Sequence, residues 1–211
     1  MKNLDRYRGC LLGLAVGDAI GTTVEFKARG SFPLVTDMVG GGAFNLQPGQ
    51  WTDDTSMALC LAESLVEKNG FDPLDQMNRY LAWYENGYLS STGTCFDIGN
   101  ATRQALEKFK IAGKPMSGSA HPSSAGNGSL MRLAPVAMFY APSRKRTMSY
   151  AGKSSRTTHG ARECVDACAL FAGMLVSALT GAEKETILFE SGTAGIVSEK
   201  ILAIARGEYR E

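Results

Sequence analysis

Apolar residues recur at three- and four-residue spacing through most of the chain, and strict apolar–polar alternation is scarce, so helices are predicted and strands are not. The first helix is expected from about Leu4 to Ile20, with Leu4, Leu11, Leu12 and Ala15 toward one side. Gly9, Gly13 and Gly17 follow one another at four-residue spacing and predict close approach of another backbone. A long loop from about Gly21 to Gln50 comes next, with "GGGAF" at Gly40 to Phe44 and "QPGQ" before Trp51; long structureless loops inside a domain are usually functional. A second helix is predicted to start at Thr52 or Asp53, aligning Met57, Leu61 and Leu65 with Cys60 and Ser64. "FDPLDQMNRYLAWYENG" predicts a third, with Asp72 as N-cap, Pro73 at the first helical position and Gly87 as the stop.

"FDIGNATRQALEKFKIAG" predicts a helix from about Asp97 to Lys110. The Gly/Ser/Pro-rich "GKPMSGSAHPSSAGNGS" reads as an internal loop and not a domain linker, because helical patterning resumes in "LMRLAPVAMFY", "SRKRTMSYAGKSS" and "GARECVDACALFAGMLVSALTG". The last of these is apolar on nearly all sides, as expected of a helix at the centre of a domain. The pattern predicts an all-α fold: a single compact, orthogonal or bundle-like multi-helix domain over residues 1–211, with about eight helices and loops gathered over one face.

Composition narrows the partners. A net charge of +1 carries no electrostatic signature for nucleic acid or an anionic membrane. The apolar stretch "CLLGLAVGDAIG" is too short to span a bilayer and is broken by Asp18, and no small-residue cleavage site follows it, so neither a transmembrane segment nor a secretion signal is expected. Five cysteines without a C-x-x-C pair point to a reduced, cytoplasmic protein. Cys164 and Cys168 share one helix face and read as small buried hydrophobes with no assigned function.

Chemistry concentrates in a few stretches. In "WTDDTS" Thr52, Asp53 and Asp54 suit a helix start, where caps and carboxylates are favourable. One cap needs one such residue, however, and three adjacent oxygen donors after a glycine-rich loop also suit a hard divalent cation. Asp18, at the unfavourable C-terminal end of the first helix, needs a compensating partner: the Gly/Thr turn that follows it, other loop N–H groups, or a cation. Glu25 lies just beyond. Gly126, Asn127, Gly128 and Ser129 precede a helix and resemble an anion-binding entrance, with Arg132 one turn inside. His159, ahead of the apolar helix, reads as a cap or surface residue on its own, and His121 receives no role.

Together, "RGCLLGLAVGDAIGTTVEF", "GQWTDDTSMALCLAESL", "GTCFDIGNATRQAL", "SAGNGSLMRLAPVA" and "SSRTTHGARECVDACALFAGML" resemble, in order and spacing, the ADP-ribosylglycohydrolase family. The resemblance runs from about Arg8 to Leu179. It implies a hydrolase that uses two Mg²⁺ or Mn²⁺ ions to remove ADP-ribose from a modified protein side chain, commonly arginine, or from small ADP-ribosyl compounds. Carried over by position, Thr52, Asp53 and Asp54 match the first metal motif. Glu25 matches the acidic residue beside the metals, which binds or helps activate the attacking group, and Asp97 in "FDIGN" matches the residue facing the scissile linkage in the arginine-type branch. The loop from Gly126 to Arg132, including Asn127, Gly128, Ser129 and Met131, matches the one that cradles ribose and diphosphate. His159 follows the pattern of a Thr-His pair near the nucleotide.

The same resemblance implies a second metal motif, Asp-x-Asp followed by Thr or Ser, toward the C-terminus. Residues 180–211 do not contain it, and Glu183, Glu185, Glu190 and Glu199 do not match it. The expectation is therefore a chain lacking the C-terminal segment. It is a portion of a longer enzyme, a shortened ADP-ribose-binding or regulatory module, or a protein whose site is completed by a complementing fragment or a second copy; a purely structural helical domain is a further alternative. Apolar surface left bare on the helix from 161 to 180 is expected to favour association.

Overall fold

The structure is a computed structural model describing residues 2–190 and 192–208. Helix α1 (Lys2–Gly21) is followed by a short 3₁₀ turn (Thr22–Val24) and a long loop. Then come α2 (Asp53–Glu67), α3 (Pro73–Asn86), α4 (Asn100–Ala112), a second 3₁₀ turn (Pro122–Ser124), α5 (Ala134–Tyr140), α6 (Arg144–Ser155), α7 (Arg162–Thr180), α8 (Lys184–Phe189) and α9 (Glu199–Arg206). Among the described residues there are nine α-helices, against about eight expected, and no strand; the only ladder contacts are isolated bridges between Gly41 and Leu46 and between Ser119 and His159.

The main core follows the sequence periodicity. Met57, Cys60, Leu61 and Leu65 of α2 are buried against Met77, Tyr80 and Trp83 of α3, Leu106 and Phe109 of α4, and Val136 and Tyr140 of α5. Each such side chain contributes about 1.5–3 kcal/mol when fully buried. α3 starts and stops as its sequence predicts: Asp72 Oδ1 accepts from the N–H groups of Leu74 and Asp75 at 2.9 and 3.0 Å, and Gly87 turns the chain at φ 68°. On the outside, Arg79 joins α3 to α2 through Glu63 and Glu67, at 2.7 and 2.6 Å, while holding Asp75.

α7 runs through the middle, touching α1, α5, α6, α8 and α9. By length and composition alone it could cross a membrane, yet 56% of its most apolar window is buried inside this fold. Gly152 lets α6 lie close to it, since a Cβ there would sit 3.1 Å from Val165 Cγ1. A smaller core of Leu170, Ile196, Ile201 and Ala205 seats α9 on α7. The start of α9 is held from a distance: Asp166 of α7 accepts from the backbone N–H groups of Val197 and Ser198, both at 2.8 Å.

Two expectations change. Gly9, Gly13 and Gly17 have nothing within 4 Å of where a Cβ would stand, so they admit no neighbouring backbone among the described residues. Leu4, Leu12 and Val16 of the same helix are exposed. Of α1 and α7, α1 therefore leaves more apolar surface bare, Phe171 being the one large apolar residue exposed on α7 among the described residues, because α8 and α9 cover part of the latter. Secondly, the helix expected to begin at Asp97 begins at Asn100: Gly99 takes an extended conformation (φ −64°, ψ 144°), which leaves Asp97 on the preceding loop.

Candidate active site

The acidic end is assembled by α1, the loops that follow it, and the first turn of α2. Thr52 occupies the N-cap position of α2, but its side chain caps nothing. Asp18, from the last turn of α1, performs that task. Its carboxylate accepts from Thr52 N–H at 3.0 Å, Thr52 Oγ1 at 2.8 Å, Thr55 N–H at 3.1 Å and Thr55 Oγ1 at 2.6 Å. A negative charge at the start of α2 is favourable, which resolves its awkward place at the end of α1. The partners come from α2 and not from the adjacent Gly/Thr turn.

Glu25 is positioned by backbone contact. Gly42 (φ 70°) lies where a Cβ would fall 2.2 Å from the Thr22 carbonyl oxygen, and Thr23 Oγ1 donates to the Gly40 carbonyl at 3.0 Å. The "GGGAF" loop thus clamps the turn that carries Glu25. Phe44 stands between Phe26 and Phe96, with ring centroids 6.1 and 5.3 Å away, and so ties the loop of Glu25 to the loop of Asp97.

Burial and mutual repulsion raise the proton affinity of this group. Asp53 and Asp54 are both shifted upward, first by desolvation; Asp97, Asp54 and Asp18 add to the shift at Asp53, and Asp18 and Asp97 to that at Asp54. Desolvation also raises Glu25, reinforced by Asp97, Asp54 and Asp18, and raises Asp97, reinforced by Asp18. None of the five carboxylates has an ion-pair partner among the described residues.

A cavity of about 470 Å³ opens beside Asp53. Its walls are Gly99 to Thr102 and Gln104 at the start of α4, Ser123 to Gly128 and Met131 from the loop before α5, and His159. That volume suits a small organic ligand. Gly128 packs directly on His159: a Cβ there would stand 2.7 Å from the ring Cε1 and 3.1 Å from Thr102 Oγ1. Backbone proximity fixes His159 from its other side, since Gly118 leaves room for His159 N, which a Cβ would approach to 2.5 Å. His159 is 3% exposed, and burial together with the nearby Arg132 lowers its pKa to about 4.

The structure brings Asp53, Gly126, Asn127, Gly128, Met131 and His159 to one cavity. It turns Ser129 and Arg132 inward. Ser129 Oγ lies 2.8 Å from Ser155 Oγ. Arg132 is fully buried, with its guanidinium 4.6 Å from the Tyr80 ring centroid and donating to the Gly128 carbonyl at 2.9 Å. The expectation that Arg132 lies one turn inside a helix is corrected: α5 begins only at Ala134, and Arg132 sits in the turn before it, buried and supporting the loop from beneath. Sequence reasoning passed over Asn100 and Gln104, although their four-residue spacing opposite buried Ala105, Leu106 and Phe109 marks the polar face of α4.

Thr52, Asp53 and Asp54 fit a hard divalent cation in donor type, and the unpaired negative charge around them is what such an ion relieves. By themselves they would supply only part of a ligand shell. Among the described residues no three His, Cys, Asp or Glu side chains gather as ligands around one point.

The profile of the ADP-ribosylglycohydrolase family matches residues 1–210. The chain is 47% identical to ADP-ribosylarginine hydrolase Tri1 of Pseudomonas putida over 99% of its own length and 55% of that protein's, and 43% identical to the Tri1 of Serratia proteamaculans over 100% and 57%. ADP-ribosyl-[dinitrogen reductase] glycohydrolase of Rhodospirillum rubrum is 34% identical over 84% of this chain and 58% of the relative. Among solved structures, an ADP-ribosylglycohydrolase-related protein complex superposes with a TM-score of 0.86 at 46% identity, covering 99% of this chain and 69% of that one. The chain spans little more than half the length of these curated relatives, and with its whole described length matched by profile, sequence and fold, it belongs to the ADP-ribosylglycohydrolase family.

Proposed function

We propose that the chain serves in hydrolysis of the N-glycosidic bond between ADP-ribose and an arginine side chain of a modified protein, or of a small ADP-ribosyl compound. The observation that carries this reading is one cavity lined both by Asp53, whose charge is coupled to Asp54, Asp97 and Asp18, and by the Gly126–Gly128 loop with His159. The names of the two Tri1 relatives support arginine as the linkage.

Cleavage at the anomeric carbon passes through an oxocarbenium-like state, so the site must orient the sugar, deliver water and release the guanidine. The glycine loop admits a ligand to close approach, and the backbone N–H groups of Asn127 and Gly128 suit a diphosphate oxygen. Asp97 suits a bidentate contact to a leaving guanidinium. Glu25 and Asp97, both raised in proton affinity, suit accepting a proton from the attacking water. A divalent ion, Mg²⁺ or Mn²⁺, held by Thr52, Asp53 and Asp54 would supply charge neutralisation and a water of lowered pKa. The five cysteines, all unpaired, support a reducing compartment such as the cytoplasm.

A second reading rests on the ligand set, since among the described residues no three His, Cys, Asp or Glu side chains gather around one point: a catalytically incomplete ADP-ribose-binding or regulatory module. One experiment separates them. The purified chain is given an ADP-ribosyl-arginine protein with Mn²⁺ or with EDTA, beside calorimetry with ADP-ribose. Hydrolysis expects release with Mn²⁺, loss in EDTA, and a fall of about a hundredfold or more in Asp97→Asn. Binding without release selects the module. Neither binding nor release overturns both.

A further inference from the structure

Arg132 is a buried cation that no carboxylate pairs among the described residues. Its Nη2 donates to Thr158 Oγ1 at 2.7 Å and weakly to Thr157 Oγ1 at 3.3 Å, while Nη1 donates to the Gly128 carbonyl. Thr158 Oγ1 lies 2.8 Å from His159 Nδ1. A guanidinium can only donate, so Arg132 occupies an acceptor lone pair of the Thr158 hydroxyl. The hydroxyl proton then has a single acceptor among the described residues, and that is Nδ1 of His159. The opposite arrangement, with Nδ1–H donating to Thr158, would strand a buried hydroxyl proton, which is costly.

We infer that Arg132 and Thr158 form a relay that holds His159 in the tautomer with Nδ1 as acceptor and the proton on Nε2. Nε2 is the ring nitrogen on the glycine-loop side, 3.1 Å from where a Gly128 Cβ would stand and 3.5 Å from a Gly126 Cβ. It makes no hydrogen bond to the protein among the described residues. The ring therefore presents one neutral N–H donor to the cavity. Such a donor suits an oxygen of an anionic ligand while adding no charge, and the same guanidinium that sets the tautomer also opposes protonation of the ring. Arg132 and Thr158 act through His159 and through the Gly128 carbonyl; they are positioning residues. This deepens the proposed function, because the donor serves the same cavity.

The test is long-range ¹H–¹⁵N correlation on ligand-free protein with ¹⁵N-labelled histidine, comparing wild type with Thr158→Val and Thr158→Ser. Wild type is expected to show the Nε2–H tautomer for His159, the near-isosteric Thr158→Val to shift toward Nδ1–H, and Thr158→Ser to restore the wild-type pattern. A wild-type proton on Nδ1, or a Thr158→Val spectrum unchanged from wild type, overturns the relay. Calorimetry with ADP-ribose adds a second readout, with affinity expected to fall about three- to tenfold in Thr158→Val and to return in Thr158→Ser. Failure of wild type to bind ADP-ribose would count against the proposed function, and the tautomer measurement would still decide the relay.

Discussion

Beside the cavity, which Asp53 lines, Asp53, Asp54, Asp97 and Glu25 repel one another without an ion-pair partner among the described residues, and each is pushed toward its protonated form. Behind the His159 wall Arg132, the one buried cation among the described residues, is spread over an aromatic face and hydroxyl and carbonyl oxygens, and His159 beside it is pushed toward its neutral form. The acidic end holds charge that the described protein does not balance. The histidine end spends its hydrogen bonds internally and lines the cavity with a neutral ring. A site of this kind gathers its electrostatic strength where charge develops or a cation binds, and keeps the recognition end insensitive to pH near neutrality.

Asp18 is the sharpest probe of this contrast, because it stabilises the acidic end structurally while repelling its neighbours. Asp18→Ala removes four hydrogen bonds to the start of α2 and is expected to cost about 2–3 kcal/mol, a fall of roughly 5–10 °C in Tm for a chain of this size. Differential scanning calorimetry measures it. A loss under about 0.5 kcal/mol would mean that relief of repulsion outweighs the cap.

At the neutral end Gly128→Ala drives a methyl group into the His159 ring, with an expected cost of about 1–3 kcal/mol by urea unfolding and loss of the His159 tautomer signal. An unperturbed imidazole spectrum in that variant would refute the direct packing.

Stability against pH should then split the two ends. Asp53 and Asp54 have raised folded pKa values, so in EDTA the folded state binds the extra protons; their contribution is complete below about pH 4 and is lost as the pH rises through neutrality. For His159 the sign is reversed. Its folded pKa of about 4 lies below the ordinary 6.5, so stability is present above that ordinary value and is lost as the pH falls toward 4. Urea midpoints in EDTA should therefore drop on both sides, with Asp53→Asn flattening the alkaline limb and His159→Gln the acid limb. Mn²⁺ at pH 8 should restore the wild-type midpoint but not that of Asp53→Asn. A midpoint flat between pH 5 and 8 would break the contrast.

The smallest effect is expected away from both ends. Leu12→Glu on the bare face of α1, where the residue is 62% exposed, should change stability by no more than about 0.5 kcal/mol. Sedimentation of the variant and the wild type adds a check: any self-association through this face should disappear with the substitution.

Much of this architecture was legible before folding was considered. Met57, Leu61 and Leu65 fall on one helical stripe, and Asp72, Pro73 and Gly87 mark the bounds of α3, because these signals act over one or two turns of chain. The candidate residues of the cavity were likewise visible as motifs, through family resemblance more than through local chemistry. What misled was also local. Three spaced glycines in α1 suggested a packing seam that the described residues do not fill, and Asp97 was drawn into a helix whose start Gly99 delays.

The sequence alone therefore determined the helical class, the caps written next to their own helices and which side chains are candidates for the site. Tertiary structure decided who serves whom. Asp18 caps a helix whose start is 34 residues away, and Asp166 holds the start of α9 at a comparable remove. Arg132 faces the core and supports the Gly126–Gly128 loop from the turn before α5, not from within a helix, while His159 is set by a threonine beside it and an arginine from another segment. These assignments rest on hydrogen bonds and burial between distant segments, and no periodicity along a single chain encodes which donor meets which acceptor once the helices pack.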